Sequence, residues 1–355
     1  MTKIALITDT HYGARGDSPA LYSYFNRFME KEFFPVIDQY GIKHIIHLGD
    51  LVDRRKQISF KTANELRNNF ILPCVERGIQ LDIIVGNHDV PFKNTNNINA
   101  ITELYGNYEN INIFEKPTDF KDNKKNFLYL PWINKENIKD TLKIIEETNA
   151  DYVFGHLELI GFQMHKGSVA THGMDGNVFS KFEKVFTGHF HHKSSSGNIH
   201  YLGAPYEMIW SDYDDPRGFH ILDTDTGELE FFRNSEPLFQ VINYDNSFTK
   251  KHIDKHDFST LTEKYVRVNI TEQIKDVIIF DYFIEKITEN NPTDLKIVDD
   301  SELFTVNGEA VEEITEGDDT RQIIISCVDA IETEVDKEIL KTRILELYDM
   351  ANKTK

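Results

Sequence analysis

The chain has few cysteines, a shortage of basic residues and no long apolar run. Its two cysteines, Cys74 and Cys327, lie far apart in apolar contexts. This argues against a disulfide framework, and we expect both thiols to be reduced core groups of a cytoplasmic protein. No run approaches the roughly 18 apolar residues of a membrane span. The sequence begins almost directly with a strand-like run at 4–7, so no signal peptide and no membrane association are expected.

The charge is strongly acidic, with 39 Lys and Arg against 59 Asp and Glu and a formal net charge of −20. Such a balance is not typical of nucleic-acid-binding proteins, because phosphate contacts need Lys and Arg. The charge has to be considered locally, however, since metal ligands are often carboxylates and a bound divalent ion reverses the local field. Much of the acidic excess lies at 294–338, which we interpret as a solvated surface.

Apolar runs alternate with amphipathic segments in the N-terminal part of the chain, which predicts an α/β architecture. We predict strands at 3–8, 43–48, 79–85, 111–114, 126–130, 151–154 and 185–187, and helices at 20–40, 60–77, 98–105 and 135–148. Short strands follow at 199–202, 218–222 and 228–233. A change in composition near 234–246 marks a boundary. Beyond it we predict strands at 264–270, 294–298 and 321–328 and helices at 273–289 and 334–352.

Five of the apolar runs end in residues that can bind a metal ion. These residues are Asp9, His11, Asp50, Asn87, His156, His189 and His191. Taken singly, each is more typical of a turn or of a buried polar group, but open α/β sheets keep their ligand sites at the carboxyl ends of strands. Carboxylate, amide and imidazole ligands without a thiolate suit a pair of ions such as Mn, Fe or Zn. Two ions roughly 3.5–4 Å apart need a shared carboxylate, and Asp50 is the natural one.

The motifs Asp-x-His, Gly-Asp-x-x-Asp, Gly-Asn-His-Asp, Gly-His and Gly-His-x-His occur in this order, each directly after a predicted strand. This series resembles the calcineurin-like metallophosphoesterase superfamily over about residues 1–235. The resemblance implies an α/β fold with a β-sandwich flanked by helices in four layers, αββα. It also implies that one metal takes Asp9, His11, Asp50 and His191, and that the other takes Asp50, Asn87, His156 and His189.

The same resemblance implies a mechanism of two-metal hydrolysis. A metal-bound water loses its proton near neutral pH and attacks phosphorus in line with the departing oxygen. His88 would contact the phosphate and protonate the leaving oxygen, and Asp89 would orient His88. Manganese is the expected metal, with Mg, Fe and Zn as alternatives.

Within the superfamily the chain resembles the SbcD-type repair nucleases. In its size and in the sequences of its motifs it resembles the recombination endonuclease subunits of tailed bacteriophages. The basic run Arg54-Arg55-Lys56, the stretch 201–206 and a small C-terminal α+β domain carry this likeness. It implies a homodimeric, Mn-dependent DNA exonuclease and endonuclease that works with an SbcC-like ABC ATPase carrying a long coiled coil. The implied domains are a nuclease domain at 1–235, a DNA-capping domain at 240–330 and a C-terminal helix at 334–355 that binds the partner.

Five residues are candidates for contact with the DNA backbone. They are Tyr12, Arg15, Arg54, Arg55 and Lys56, the last three of which could equally begin a solvated helix. Many family nucleases carry a histidine three residues after the bridging aspartate, whereas this chain has Asp53. Asp53 either caps the next helix or pairs with Arg54 or Arg55, or it places a second carboxylate near the site, which weakens the inference of exonuclease activity from the resemblance. The alternative function is a phosphatase or cyclic-nucleotide phosphodiesterase acting on small molecules or phosphoproteins.

Overall fold

The computed structural model describes residues 3–121, 125–299, 325, 328 and 337–353. These residues form two compact units. The first comprises Met1–Glu207 and Asp214–Pro237, and the second comprises Met208–Tyr213 and Leu238–Lys355, in each case as far as the chain is described. The second unit therefore takes in a short segment, 208–213, that the sequence had assigned to the first. The functions assigned to the domains stay predictions.

The first unit is built from short strands and helices. Its strands are Lys3–Ile7 (β1), His44–His47 (β2), Gln80–Ile84 (β3), Ile111–Phe114 (β4), Thr118–Lys121 (β5), Asn126–Leu130 (β6), Tyr152–His156 (β7), Gln163–His165 (β8), Ser168–Val169 (β9), Lys184–Gly188 (β10), Ser194–Ser196 (β11), Ile199–Tyr201 (β12), Gly218–Asp223 (β13) and Leu229–Arg233 (β14). Its helical segments are Ala14–Asp17, Pro19–Phe28, Met29–Phe33, Phe34–Tyr40, Phe60–Leu66, Arg67–Ile71, Leu72–Glu76, Ala100–Tyr105, Ile138–Glu147 and Gly176–Phe179.

Two of the predicted helices contain a proline, and each accommodates it with a π-helical turn. Met29–Phe33 is a π turn directly before the segment that contains Pro35. Arg67–Ile71 is a second π turn, directly before the segment that contains Pro73. Proline has no N–H and crowds the carbonyl one turn earlier, so a regular α-helix cannot continue through it unchanged. The wider turn takes up this conflict, and the chain stays helical on both sides of each proline.

Two six-stranded sheets form a sandwich in the first unit. Their strand orders are β14-β13-β1-β2-β3-β4 and β11-β12-β10-β7-β6-β5. Strands β1 to β4 are parallel, and so are β6, β7, β10 and β12, while the remaining strands pair antiparallel. The sheets meet through a buried core to which Leu6, Ile46 and Phe154 contribute. Central strands covered on both faces explain why the sequence shows continuous apolar runs rather than alternation.

Helices cover both outer faces of the sandwich. On the first sheet Phe33 packs against Phe219 of β13, and Phe70 packs against His47 of β2. On the second sheet Ile145, from the helix Ile138–Glu147, joins a cluster with Val153 and Val185. The predicted four-layer α/β arrangement is confirmed, and it brings the carboxyl ends of the parallel strands to one edge.

The second unit contains a parallel three-stranded sheet. Its strands are Phe239–Tyr244 (β15), Tyr265–Ile270 (β16) and Asp294–Asp299 (β17), and its helical segments are Trp210–Asp212, Lys250–Ile253, Phe258–Leu261, Val277–Glu289 and Lys337–Lys353. The helix Val277–Glu289 joins two parallel strands, and its Phe283 and Ile287 are buried among Val266 and Val268. Among the described residues, no helix combines the length and apolar character that a membrane crossing requires.

Two details of the second unit differ from the sequence prediction. Strand β15 lies within 234–246, which was interpreted as a boundary because polar residues interrupt its short apolar pattern. The strand predicted at 321–328 is wrong where the chain is described, since Ile325 and Val328 are helical. The β-branched run at 323–325 favoured a strand, but propensity is a weak guide when packing decides. The rest of that segment, including Cys327, lies outside the described residues, whereas Cys74 is buried as a free thiol.

Candidate metal centre

The seven predicted ligands come together at the carboxyl ends of five strands. Asp9 and His11 follow β1, Asp50 follows β2, Asn87 follows β3, His156 ends β7, and His189 and His191 follow β10. Asp9, Asp50 and His156 are almost completely buried. Burial of carboxylates is unfavourable unless an opposite charge or a metal compensates for it, so this edge of the sandwich needs cations.

The backbone at this edge is strained at several of these residues. Asp9, His11, Asp50 and His189 have positive φ values of 52°, 44°, 53° and 86°. Residues with a side chain rarely adopt this region, and each such case is unfavourable by about 1–3 kcal/mol. Strain of this kind persists only where the surrounding structure imposes it, and it is concentrated at functional sites. The turns are therefore shaped to aim these side chains inward rather than to connect elements at lowest energy.

Two glycines let the strand ends approach each other closely. A side-chain carbon at Gly86 would overlap the backbone nitrogen and the carboxylate of Asp50, and one at Gly188 would overlap the Thr8 hydroxyl. The close approach of Gly86 lets Asp89 hold the turn, since its Oδ2 accepts N–H bonds from Gly86 at 2.8 Å and Asp50 at 2.9 Å. The absent side chains are thus part of the site's construction.

The first cluster comprises Asp9, His11 and His191, whose possible ligand atoms lie within 4.8 Å of one another. The Nε2 atoms of His11 and His191 face each other at 3.0 Å, and the Oδ1 of Asp9 lies 3.9 Å from the Nε2 of His11. Nitrogen lone pairs directed at one point suit a cation placed between them. This cluster contains three of the four residues that were predicted to hold the first metal.

The second cluster comprises Asp50, His156 and His189, with the Asn87 amide at its centre. The Oδ1 of Asn87 lies 2.9 Å from the Nε2 of His156 and 2.8 Å from the Nδ1 of His189. The Nδ1 of His156 donates to the carbonyl oxygen of Leu48 at 2.8 Å, which leaves the Nε2 for a metal. This cluster matches the second predicted site.

Asp50 faces both clusters with the same oxygen atom. Its Oδ2 lies 3.3 Å from the Nε2 of His156 and 3.8 Å from the Nε2 of His11. Its other oxygen, Oδ1, accepts the backbone N–H of His88 at 2.7 Å. This hydrogen bond fixes the carboxylate so that one oxygen is available to two ions. The donor set and its orientation therefore fit the pair of divalent ions that the sequence predicted, with Asp50 as the bridge.

The ionisation of the centre reflects its concentration of carboxylates. Burial lowers the pKa of His11, but Asp53, Asp50 and Asp9 raise it to about 9. Burial also lowers the pKa of His156, but Asp50 and Asp9 raise it to about 9. The pKa of Asp50 lies well below its usual range, because the neighbouring histidines outweigh burial. Protons on His11 and His156 thus supply, without metal, the positive charge that the carboxylates need.

The structure differs from the sequence expectation in the group that orients His88. The Nδ1 of His88 donates to the backbone carbonyl oxygen of Asp53 at 2.6 Å, which leaves its Nε2 as the atom able to exchange a proton. Asp89 was expected to orient His88, but its carboxylate is bound by backbone N–H groups, including that of Val52 at 3.1 Å. A carboxylate held by three backbone donors stabilises the loop around Asp50 instead.

Asp53 lies inside the centre rather than at the start of the next helix. That helix begins at Phe60 and is capped by the Ser59 hydroxyl, so the interpretation of Asp53 as a helix cap is wrong. Its Oδ1 lies 3.4 Å from the Nδ1 of His11, within the range of an ion pair but longer than a normal hydrogen bond. Asp53 therefore adds a carboxylate behind His11, an arrangement that increases the basicity of a ligating imidazole.

The candidate DNA contacts separate into two groups. Tyr12 is wrong as a contact, because it is fully buried and its ring packs against Phe25. Arg54 and Lys56 are exposed, and Arg15 is half-buried. Arg55 is half-buried and close enough to Asp50 that the two charges interact, although burial is the larger influence and lowers the pKa of Arg55. Arg55 is thus the residue of the basic run whose charge interacts with Asp50 and His189 of the metal centre.

The sequence analysis did not single out Trp132, which packs on the centre. Its ring lies 5.1 Å from that of His189 and 6.2 Å from that of His156, measured between centroids. The residue follows Pro131 directly after β6, where it was interpreted only as the end of a strand. Its position after a strand in the same sheet as β7 and β10 was the signal that could have identified it.

Comparison with known proteins agrees with this geometry. The family model described as calcineurin-like phosphoesterase matches residues 2–193. The chain therefore belongs to the calcineurin-like phosphoesterase family. The resemblance stated from the motifs is confirmed, and the protein is an enzyme of the phosphoester-hydrolysing class.

Two curated proteins resemble this phosphoesterase in sequence. Exonuclease subunit 1 of Enterobacteria phage T4 is 36% identical over 250 residues, which cover 70% of this chain and 71% of that protein. The SbcD component of the nuclease SbcCD from Staphylococcus saprophyticus is 28% identical over 126 residues, which cover 32% of this chain and 34% of that protein. A solved structure of a Mycoplasma pneumoniae phosphatase is 14% identical with a TM-score of 0.38, and covers 73% of this chain and all of that one.

Substitution of Gly86 by alanine tests the close approach at Asp50. The added methyl group has no space beside the Asp50 backbone, so we expect Gly86→Ala to displace the bridging carboxylate and to weaken Mn²⁺ binding by about 10–100-fold. Isothermal titration calorimetry measures this loss. The matched control is Gly176→Ala, where the methyl would meet the side-chain tip of Ile199 at 3.1 Å and the Phe162 ring at 3.9 Å, both of them side chains. Equal metal affinity in the two variants would contradict the predicted geometry.

The raised pKa values predict how the stability of the metal-free protein depends on pH. His11 and His156 have folded pKa values of about 9 against an ordinary 6.5, so their stabilisation is complete below pH 6.5 and is lost as the pH rises through 9. Asp89, whose pKa is raised by burial to about 7, acts in the same direction. We expect the melting temperature in EDTA to fall between pH 6.5 and 9.

A thermal-shift series over this pH range, with and without Mn²⁺, measures the effect. Bound metal replaces the protons, so Mn²⁺ is expected to flatten the curve. His11→Gln should remove part of the slope, whereas His172→Gln, at an exposed residue, should leave it unchanged. A melting temperature in EDTA that is constant or rises over this range would refute the assignment of these protons.

Proposed function

We propose that the protein is a DNA nuclease that hydrolyses phosphodiester bonds with two divalent metal ions. The observation that carries the proposal is the single Asp50 oxygen, which lies within 3.8 Å of ring nitrogens from both histidine clusters. The family membership supports phosphoester hydrolysis. The names of the two curated relatives, both of which denote nucleases, support DNA as the substrate.

The metal ions, when bound, supply Lewis acidity and a nucleophile at neutral pH. The first would be held by Asp9, His11, Asp50 and His191, and the second by Asp50, Asn87, His156 and His189. We propose manganese for both, because the resemblance to the SbcD-type nucleases implies it, and oxygen and imidazole ligands without thiolate are compatible with it. Asp53 would orient His11 from behind.

His88 is the proposed general acid. The Asp53 carbonyl oxygen fixes its Nδ1 as a donor, so proton transfer to the leaving oxygen would occur from the Nε2. Burial lowers the pKa of His88, and the charge of Asp50 opposes this effect only in part. A negatively charged phosphodiester next to the ring would raise that pKa again, so His88 would become a competent acid when substrate is bound.

Arg55 is the proposed contact to the phosphate beside the metal ions. Its positive charge interacts with that of Asp50, and a phosphodiester at the metal centre would be stabilised by the Arg55 guanidinium as well as by the metal ions. Arg54, Lys56 and Arg15 would contact the DNA backbone farther from the reacting bond. With so few basic groups on a chain of net charge −20, binding to DNA by this protein alone is expected to be weak and sensitive to salt.

The remaining parts of the proposal concern the assembly. We propose that the protein acts as a homodimer in the cytoplasm, that of the host if the protein is viral. It would work with an SbcC-like ABC ATPase in DNA recombination or repair, with double-strand exonuclease and single-strand endonuclease activity. The names of both relatives denote subunits, which supports a multi-protein complex. In this proposal the second unit would cap the DNA, and the helix Lys337–Lys353 would bind the ATPase.

Substitutions of Asp50 and His88 test the proposed reaction. We expect Asp50→Asn to abolish Mn²⁺-dependent cleavage of end-labelled duplex and single-stranded DNA, because the bridge between the ions loses its charge. His88→Ala should lower the cleavage rate by about 10²–10⁴-fold while metal binding is kept. His172→Gln serves as the control at an exposed histidine. Activity that survives both substitutions would point to a contaminating nuclease, and rapid turnover of cyclic nucleotides without DNA cleavage would favour the alternative function.

The salt dependence of DNA binding tests the role of Arg55. Arg55→Ala should weaken binding of duplex DNA and reduce the slope of log affinity against log salt by about 1, the value for one lost phosphate contact. Arg55→Lys should keep most of the slope, because the charge remains. The control is Arg233→Ala, at an exposed position on β14. Fluorescence anisotropy over a salt series measures all three. If Arg55→Ala and Arg233→Ala gave the same slope, Arg55 would not contact phosphate.

A further inference from the structure

An apolar cavity of about 270 Å³ lies next to the second metal cluster, within the first unit. Its lining comprises Trp132, Ile133, Ile138, Leu142, Leu157 and Met174, together with Glu158, Leu159 and Gly173. Trp132 belongs both to this lining and to the wall of the metal centre, since its ring packs on that of His189. Trp132 therefore connects the cavity to the metal centre.

Trp132 is held as a fixed platform between the cavity and the centre. Its backbone N–H donates to the carbonyl oxygen of Val85 at 2.8 Å. Its own carbonyl oxygen accepts side-chain N–H bonds from Asn96 at 2.8 Å and Asn137 at 3.0 Å. These three bonds fix the backbone of Trp132, so the indole is positioned before any ligand arrives.

The opposite wall of the cavity is equally well defined. The backbone N–H of Met174 donates to the carbonyl oxygen of Glu158 at 2.8 Å, and that of Ile160 donates to Met174 at 3.1 Å. A side chain at Gly173 would overlap the Glu158 backbone, so the two segments pack as closely as glycine permits. The cavity is therefore a built feature of the fold and not a gap between loose loops.

The chemistry of the lining favours a flat, uncharged, aromatic group. Ile138 and Leu142 lie one helical turn apart and are 39% and 41% exposed, so apolar surface is available at the mouth. Glu158 is the only charged residue of the lining, and its carboxylate would repel a phosphate. An indole and aliphatic walls suit the stacking of a nucleobase, which every DNA strand carries next to each phosphate.

We propose that this cavity is a subsite for one unpaired nucleobase adjacent to the scissile phosphodiester. The inference rests on the proposed DNA nuclease function and extends it. A base can enter the cavity only when it leaves the helical stack, so the subsite selects single-stranded DNA or frayed ends over intact duplex. Stacking on Trp132 would hold the neighbouring phosphate over the metal ions and would tolerate any base sequence.

A walk of a single abasic residue along a labelled single-stranded oligonucleotide tests the subsite. The wild-type protein with Mn²⁺ is expected to cleave the intact strand, and cleavage should fall by roughly 5- to 150-fold at the one bond whose neighbouring base is missing. Trp132→Ala should lower cleavage of the intact strand by a similar factor, while the abasic residue should then cause little further loss. Trp132→Phe should restore most of the positional effect.

Two controls separate the subsite from damage to the metal centre. Mn²⁺ affinity of Trp132→Ala, measured by calorimetry, should equal that of the wild type. Leu142→Gln, which changes the cavity mouth, should also reduce the positional effect of the abasic residue. A wild-type protein that cleaves the strand with no positional effect would overturn the subsite and leave the nuclease function standing. Loss of Mn²⁺ binding in Trp132→Ala together with an unchanged positional effect in Leu142→Gln would also overturn it. Failure of the wild type to cleave the intact strand would overturn the nuclease function and the subsite with it.

Discussion

The buried carboxylate of Asp50 is the constraint on which the rest of the centre depends. A carboxylate that is 2% exposed must be compensated, and the first unit does so with His11 and His156 on either side of one oxygen and the His88 N–H on the other. The same requirement explains why imidazoles come from both sheets. A single sheet would present its strand ends in a row, whereas two sheets meeting at one edge surround the carboxylate with ligands.

The close approach of those ligands destabilises the local backbone. Positive φ values at Asp50 and His189 and missing side chains at Gly86 and Gly188 are each unfavourable or restrictive in isolation. They are tolerated because the sandwich core behind them is dense and apolar, so the strand ends cannot relax apart. The rigid core thus maintains the strain at its edge, and the strained turns hold the charged groups at separations that suit metal ions.

Local rules in the sequence predicted the α/β pattern and the candidate ligands at the strand ends, whereas the β-sandwich was implied by the family resemblance. An apolar run that ends in Gly-Asp or Gly-His shows where a buried strand ends, and this can be recognised without knowledge of the tertiary structure. The errors at Tyr12 and Asp89 have a common cause in contacts that only folding creates. Nothing in the sequence places Tyr12 beneath Phe25, or turns Asp89 toward backbone N–H groups rather than His88. The failure at Ile325 has a different origin, since β propensity competed there with helical packing.

Two residues near the centre complement each other in chemistry. Arg55 supplies positive charge, and Trp132 supplies an aromatic face. A nucleotide presents the same pair of groups, a phosphate and a base, at a fixed separation. A phosphoprotein or an inorganic ester would interact with the charge of Arg55. It would leave the indole of Trp132 without a stacking partner and the neighbouring apolar residues exposed. The presence of these two residues at one metal centre is therefore the feature that most favours a nucleic acid as the proposed substrate.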